Sequence, residues 1–258
     1  MDKTFITDEI DGLIRHGLFY SVVYNNGKVL SMNEENRNYY AQNLNSQKLF
    51  QVYDTKIPRI RQYLDREINF IRKRLRGSEN VLEIGAGYGR ILKELSIHAK
   101  SFVGIDISGE SIEFGKEYLK GLSNVYLEVK DARELNFVDT FDVVLCLQNG
   151  LSALKGDSLE LIKISLKAMP EGGKAYFSTY SAKFWQHRLA WFREQVNKGL
   201  LGELDEEQTK DGVIVCRDGF RAVTFTESDF VKFGEASGCR YEIREVDESS
   251  LFLIITKE

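Results

Sequence analysis

The sequence predicts an α/β fold: a doubly wound, seven-stranded, mostly parallel sheet with one antiparallel strand near its edge, carrying N-terminal and inserted cap elements. Three observations lead there. After Gly77 strand-like and helix-like segments alternate, the rhythm of a parallel sheet with right-handed crossovers. Several strands are continuous apolar runs, such as Val143-Val144-Leu145-Cys146-Leu147, as strands covered on both faces require. The last two strand-like segments, Arg240–Val246 and Leu251–Thr256, are joined by Asp247-Glu248-Ser249-Ser250 alone, too short for a crossover, so that pair is antiparallel.

Taken in order, Leu18 to Met32 reads as strand, turn, strand, because Asn25-Asn26-Gly27 supplies the positive φ angles a tight hairpin needs. Residues 33–50 are polar and aromatic and helical in part. Ile60, Leu64, Ile68, Ile71 and Leu75 recur at helical spacing, predicting a helix from about Lys56 to Arg76, with Thr55 as its cap and Pro58 in its first turn. Five strands follow: Asn80–Ile84, Ser101–Ile105, Val125–Val129, Phe141–Leu147 and Lys174–Thr179. Helices begin near Gly89, Gly109 and Asp157, and the stretch 133–139 is too short for one. The alternation breaks after Tyr180. A helix at about 182–198 carries Phe184, Trp185, Leu189, Trp191 and Phe192; an acidic loop and a hairpin turning at Arg217-Asp218-Gly219 come next, then a capped helix from Thr226. The expected division is an N-terminal hairpin and helical cap (1–76), a core (77–180 and 225–258) and an inserted cap (181–224).

Composition narrows the function classes. The 258 residues suffice for a sizeable core, and a net charge of −4 is a poor bulk match for nucleic acid. Cys146, Cys216 and Cys239 lie far apart, with no metal spacing or disulfide framework, so no metal site is expected and a reduced, cytoplasmic setting is the simplest inference. The N-terminus lacks an apolar signal core, and no apolar run approaches the roughly 20 residues of a membrane span.

The chemistry concentrates at Val81-Leu82-Glu83-Ile84-Gly85-Ala86-Gly87-Tyr88-Gly89-Arg90, where the first core strand turns into a helix. Glycines there permit positive φ and close approach of a ligand to the backbone. Arg90 stands where the dinucleotide pattern has its third glycine. Glu83, two residues before the first glycine, would repel a pyrophosphate and attract an ammonium. Asp106 ends the second strand, where an acid can accept both ribose hydroxyls.

These residues make the chain resemble the class I S-adenosylmethionine-dependent methyltransferases of the Rossmann-like, small-molecule type. The first motif of that family is similar to Glu83-Ile84-Gly85-Ala86-Gly87-Tyr88-Gly89. Asp106 and Ile107, in Val103-Gly104-Ile105-Asp106-Ile107-Ser108, match its ribose-binding segment; Asp131-Ala132 match its adenine site; Gln148-Asn149 fall where it places cofactor and substrate contacts. The resemblance covers roughly residues 77–180 and 225–258. It implies S-adenosylmethionine as cofactor, S-adenosylhomocysteine as product, and Tyr53, Glu83, Gly85, Ala86, Gly87, Tyr88, Gly89, Asp106, Ile107, Asp131, Ala132, Gln148 and Asn149 as cofactor contacts. Taken singly, each landmark has a plainer reading: tight packing for the glycines, a helix cap for Asp106, a loop acid for Asp131, turn residues for Gln148-Asn149.

Methyl transfer from a sulfonium needs positioning and exclusion of water, with a general base only where the acceptor must lose a proton. The acceptor is expected to be a small molecule under a lid formed by residues 1–55 and 181–223, which carry Tyr20, Tyr39, Tyr40, Tyr53, Trp185, Trp191 and Phe192. His187 is the candidate base, as the histidine in that lid. The basic run Lys56, Arg59, Arg61, Arg66, Arg72, Lys73, Arg74 and Arg76 leaves an alternative open, an RNA or protein acceptor; a non-catalytic cofactor-binding domain is another. A nicotinamide dehydrogenase shares the strand–glycine–helix logic, but Glu83 and Arg90 argue against it.

Overall fold

The computed structural model describes residues 23–25, 28–30, 39–154 and 156–258. The chain divides into two units, Met1–Arg37 and Asn38–Glu258. In the first, β1 (Val23–Asn25) and β2 (Lys28–Leu30) pair antiparallel, Asn25 opposite Lys28, forming the expected hairpin. Tyr20 lies outside the described residues.

The second unit opens with three helices, α1 (Tyr39–Asn43), α2 (Ser46–Tyr53) and α3 (Pro58–Arg72). α3 is shorter than the apolar spacing predicts. Its N-cap is Ile57 rather than Thr55, without a side-chain capping bond; the Thr55 hydroxyl instead accepts the Ile57 N–H from outside the helix. Pro58 has no N–H to satisfy and starts the helix from its fixed φ.

Strand–helix alternation follows: β3 (Asn80–Ile84), α4 (Arg90–Leu95), β4 (Ser101–Asp106), α5 (Gly109–Tyr118), β5 (Val125–Val129), β6 (Val143–Cys146), α6 (Gly150–Ala153), α7 (Ser158–Lys167) and β7 (Lys174–Tyr180). Then come α8 (Trp185–Asn197), the hairpin strands β8 (Val213–Val215) and β9 (Arg221–Val223), α9 (Glu227–Ser237), β10 (Arg240–Val246) and β11 (Ser250–Thr256). α9 starts with a capping box between Thr226 and Asp229.

Seven strands form one sheet in the order β10-β11-β7-β6-β3-β4-β5. β11 is antiparallel to both neighbours and sits one place from the edge; the other pairings are parallel. Both faces are covered, as a doubly wound sheet demands. Along β11, Leu251, Leu253 and Ile255 pack with α7 and with Phe230 of α9, while Phe252 and Ile254 pack on the opposite face with Ile68 and Ile71 of α3. A third cluster touches the sheet at Tyr180, the end of β7, and joins Tyr39, Val52, Ile60 and Tyr63 to Phe184, Trp191, Phe192, Ile214 and Phe220. Thus α3 serves two cores: its first half belongs to the cap, its last turns to the sheet. Glu67 falls between them.

Candidate functional site

The strand order reverses between β3 and β6, so the carboxyl ends of these strands flank the crevice where open α/β sheets take ligands. Gly85 and Ala86 donate their N–H groups to the Ile105 carbonyl at 2.9 and 3.0 Å, which folds the loop over the end of β4. Gly87 donates to one oxygen of Asp106 at 2.9 Å and Ser108 to the other at 2.8 Å. Asp106 therefore ties the loop to the second core strand. Gly87 has φ +55°, and a β-carbon on it would come within 2.8 Å of Leu49 Cδ2. The ring of Tyr88 packs among Phe50, Phe114 and Tyr118 at 5.7, 5.6 and 5.0 Å between centroids, so what Tyr88 offers a ligand is its backbone.

Glu83, paired with Gly104 and Leu145 in mid-sheet, is 3 % exposed, and its Oε2 has no hydrogen-bond partner. Glu67 is fully buried, with neither carboxylate oxygen in a hydrogen bond of good geometry. Facing both is Arg90. Its guanidinium lies 4.5 Å from the Tyr53 ring centroid, and its Nε and Nη2 are buried without partners. Burial pushes the Glu83 carboxyl up to about 8 against the pull of Arg90, with Asp106 and Glu67 adding to the rise. Burial likewise lifts Glu67 to about 7, opposed by the neighbouring Ser178, Arg90 and Gln148. Asp106 is also raised by burial, against the backbone N–H groups of Ser108, Gly87 and Ile107.

On the far side of β4, Asp131 caps a single helical turn, Ala132–Glu134, through the Arg133 N–H at 2.9 Å. Its carboxylate stays at the surface and Ala132 is buried. After β6, Gln148 and Asn149 both take left-handed φ, +52° and +64°. Two such residues in succession cost of order 1 kcal/mol each. The Gln148 N–H donates to Ser178 Oγ at 2.7 Å, and its side-chain nitrogen is buried without a partner. The Asn149 side chain is engaged elsewhere: Oδ1 accepts from Thr179 Oγ1 at 2.8 Å and Nδ2 donates to the Val223 carbonyl at 2.9 Å, joining β7 to β9.

The cap supplies a set of phenols. The Tyr63 ring stands 5.4 Å from Tyr180 and 5.1 Å from Phe184, and Tyr53 bridges Tyr88 and Trp191 at 6.3 and 6.2 Å. Burial raises the hydroxyl pKa of Tyr40, Tyr53, Tyr63 and Tyr180, so all four stay protonated. His187 is exposed, its ring 5.5 Å from Phe184. A helix turns about 100° per residue, and it is the next residue, Arg188, that enters the cap at 1 % exposure.

The structure thus gathers Tyr53, Glu83 and Asp106 with Arg90 and Glu67. Glu67 and Arg188 carry a sequence signal that is easily passed over. Glu67 is a carboxylate in an apolar stripe, seven residues from Ile60 and four from Ile71; Arg188 lies three residues from Trp185 and four from Phe192.

The methyltransferase domain family matches residues 81–173. A ribosomal RNA small subunit methyltransferase A of Clostridium botulinum is 41 % identical over 59 residues, 23 % of this chain and 22 % of that protein. A ubiquinone biosynthesis O-methyltransferase of Coxiella burnetii is 26 % identical over 125 residues, 48 % of this chain and 50 % of that protein. The chain therefore spans half or less of the length of these curated relatives. Among solved structures, the N-methyltransferase NodS of Bradyrhizobium japonicum, in complex with S-adenosyl-L-homocysteine, superposes with a TM-score of 0.53 at 16 % identity, covering 86 % of this chain and 98 % of that one; it shares the fold.

Proposed function

We propose that the chain is a class I, S-adenosylmethionine-dependent methyltransferase, in keeping with the methyltransferase domain matched over residues 81–173, and that it transfers the methyl group of S-adenosylmethionine to a small molecule held beneath the cap. The observation that carries this reading is the group of unpartnered buried polar atoms at the switch point: Glu83 Oε2, and Nε and Nη2 of Arg90. Unsatisfied buried groups are costly and ask for a ligand. A carboxylate acceptor and a guanidinium donor fit the ammonium and carboxylate of a methionine moiety, and Asp106 fits the ribose hydroxyls. Gly85, Gly87 and Gly89 would wrap the methionine portion; Ile107, Asp131 and Ala132 would flank the nucleoside. The cofactor supplies a methyl already activated by its positive sulfur.

The chain's part is to orient the acceptor and exclude water. Residues 39–72 and 185–223 would serve as the acceptor lid. Glu67, half ionised near neutral pH, is better suited than the exposed His187 to take a proton from an acceptor hydroxyl or amine. The Clostridium relative raises RNA as an acceptor. Against that, the basic helix spends much of its charge within the chain: Arg59 pairs with Asp247 at 2.8 Å, Arg72 reaches Glu94 at 3.7 Å, and Arg74 covers Phe70 at 3.5 Å. Among the described residues no helix is long and apolar enough to cross a membrane.

Thermal unfolding with S-adenosylmethionine, S-adenosylhomocysteine or NAD tests the cofactor assignment. The adenosyl ligands should stabilise the protein by about 2.7 kcal/mol at a hundred times Kd. Asp106→Ala should remove most of that gain while leaving a cooperative transition. Stabilisation by NAD alone, or by none of the three, overturns the reading. With methyl-labelled cofactor and a cell extract, label should enter small molecules; label in RNA defeats the choice of acceptor.

A further inference from the structure

Among the described residues, no carboxylate pairs with one buried positive charge of the cap. Arg188 is 1 % exposed. Its Nη1 donates to the Gly212 carbonyl at 2.8 Å and to the Thr224 hydroxyl, and its Nη2 to the Ala222 carbonyl at 3.4 Å. The rings of Tyr180, Phe192 and Trp185 stand 4.6, 5.4 and 5.8 Å from Cζ. Among the described residues no carboxylate lies within ion-pair distance, and Nε has no hydrogen-bond partner. Carbonyl dipoles and ring faces offset only part of the desolvation of a buried cation, and leaving such a charge without a counter-ion is strongly unfavourable.

The guanidinium has five N–H donors. Two on Nη1 and one on Nη2 are taken by these bonds and the Tyr180 hydroxyl is a further hydrogen-bonding neighbour, while the Nε–H on the Nε–Nη2 edge has no partner among the described residues. That edge grips a carboxylate through two parallel bonds. The phenols of Tyr180, Tyr40 and Tyr63 are the electrostatic neighbours of Arg188; all three also neighbour Tyr53, which in turn neighbours Glu83 and Asp106. A wall of phenols therefore runs from Arg188 to the residues assigned to the cofactor, with Glu67 beside Tyr63 and Tyr180.

We propose that Arg188 is the anchor of the acceptor site and that the acceptor is a small monocarboxylic acid with an apolar or aromatic body. The proposal rests on the methyltransferase reading for the word acceptor, and on Arg188 alone for the carboxylate. One guanidinium among aromatic rings balances one negative charge, whereas a phosphate dianion would bring a second, uncompensated one. With the carboxylate on the Nε–Nη2 edge and the body along the phenols, the other end of the molecule points toward Glu67 and Glu83.

The test is a titration of the full chain, with and without saturating S-adenosylhomocysteine, using acetate, benzoate, 4-hydroxybenzoate, benzamide and inorganic phosphate as probes. The chain has two tryptophans, so the indole N–H signal of Trp185 can be followed by NMR once assigned with Trp185→Phe. Benzoate and 4-hydroxybenzoate should shift that signal saturably and bind at least about tenfold tighter than benzamide or phosphate, the margin of a charge-assisted pair. Arg188→Lys, which keeps the charge and loses the fork, should weaken the aromatic acids by about ten- to a hundredfold with unchanged affinity for S-adenosylhomocysteine. Should that variant fail to fold, the wild-type preference for acid over amide decides. Equal binding of benzamide, preference for phosphate, or no binding of any acid overturns the proposal. Failure of S-adenosylhomocysteine to bind strikes the proposed function instead, and the ligand-free titration still decides on Arg188.

Discussion

The glycine loop and the cap solve the same problem, holding polar groups inside a protein, at very different chain separations. In the loop the partners are near in sequence: Gly87 to Asp106 spans 19 residues and Ser108 to Asp106 spans two. In the cap several are remote, beside nearer ones such as Phe220 to Asp218. The Tyr39 hydroxyl reaches Asp218 across 179 residues, the Trp191 indole reaches the Val52 carbonyl across 139, and Arg59 reaches Asp247 across 188. Short-range bonds of the first kind form wherever the strand–turn–helix unit forms. Those of the second kind require the whole unit to be folded. A loop held by local bonds can keep its geometry while a cap held by long-range contacts varies over it.

The sharpest way to break this contrast is to remove a keystone of the cap. Phe184 is fully buried, 5.1 Å from Tyr63, and lies beneath the guanidinium of Arg59 at 4.8 Å. Phe184→Ala should cost about 3–5 kcal/mol, cavity included. For a unit of this size that is roughly 6–20 °C in melting temperature. The stabilisation given by S-adenosylhomocysteine, measured by calorimetry below the new transition, should survive. Its loss would mean that the loop depends on the cap for its shape.

Legibility in the sequence follows the same division. Glu83, the three loop glycines and Asp106 stand within 24 consecutive positions of the sequence, and the strand–helix alternation around them was readable from periodicity alone. The antiparallel β11 was readable too, because a four-residue joint admits no crossover. The cap was legible as aromatic composition but not as geometry. Nothing in the sequence sets Tyr63 against Tyr180, because that contact depends on where α3 meets the end of β7, and nothing favours Arg188 over His187 except the phase of a helix whose start was placed three residues early. The Thr55 cap failed for a similar local reason: Pro58 can open a helix without a side-chain cap, and Thr55 folds onto Ile57 instead.

Between the two regions lie Glu67 and Glu83, and pH separates their contributions. Both carboxyls are raised from the ordinary 4.5, Glu67 to about 7 and Glu83 to about 8. The unfolded chain gives up these protons near pH 4.5 while the folded chain keeps them, so between those limits the folded state binds more protons and stability falls as pH rises. The slope is about 1.4 kcal/mol per pH unit for each group, less where the two titrations couple. The ligand-free protein should therefore melt lower at pH 8 than at pH 5.5, and Glu67→Gln should flatten the part of the decline below about pH 7. Binding of S-adenosylhomocysteine at pH 7 should release protons as its ammonium ionises Glu83, visible as a dependence of binding heat on buffer ionisation enthalpy. A melting temperature that is flat from pH 5.5 to 8 would show that neither carboxyl is held neutral.

The smallest effect sharpens the comparison from the side of the cap. Tyr39 donates to Asp218 Oδ2 at 2.5 Å, and the same carboxylate accepts from Gly202 at 2.6 Å and Phe220 at 3.2 Å. Burial pushes the Asp218 carboxyl up, but the bonds from Tyr39, Gly202 and Phe220 outweigh it and leave the group below the usual carboxylate range. Tyr39→Phe keeps the ring against Phe220 at 5.2 Å between centroids and deletes only the donor. The cost should be about 1 kcal/mol, because two backbone donors remain and water reaches the carboxylate. A depressed carboxyl stabilises above its unfolded pKa of 3.8 and loses that contribution as pH falls through its folded value. The difference between variant and wild type, followed by denaturant titration, should therefore be full at pH 6 and shrink below pH 3.8. A difference that persists unchanged in acid would assign the hydroxyl's contribution to packing of α1 on the hairpin rather than to its bond across 179 residues.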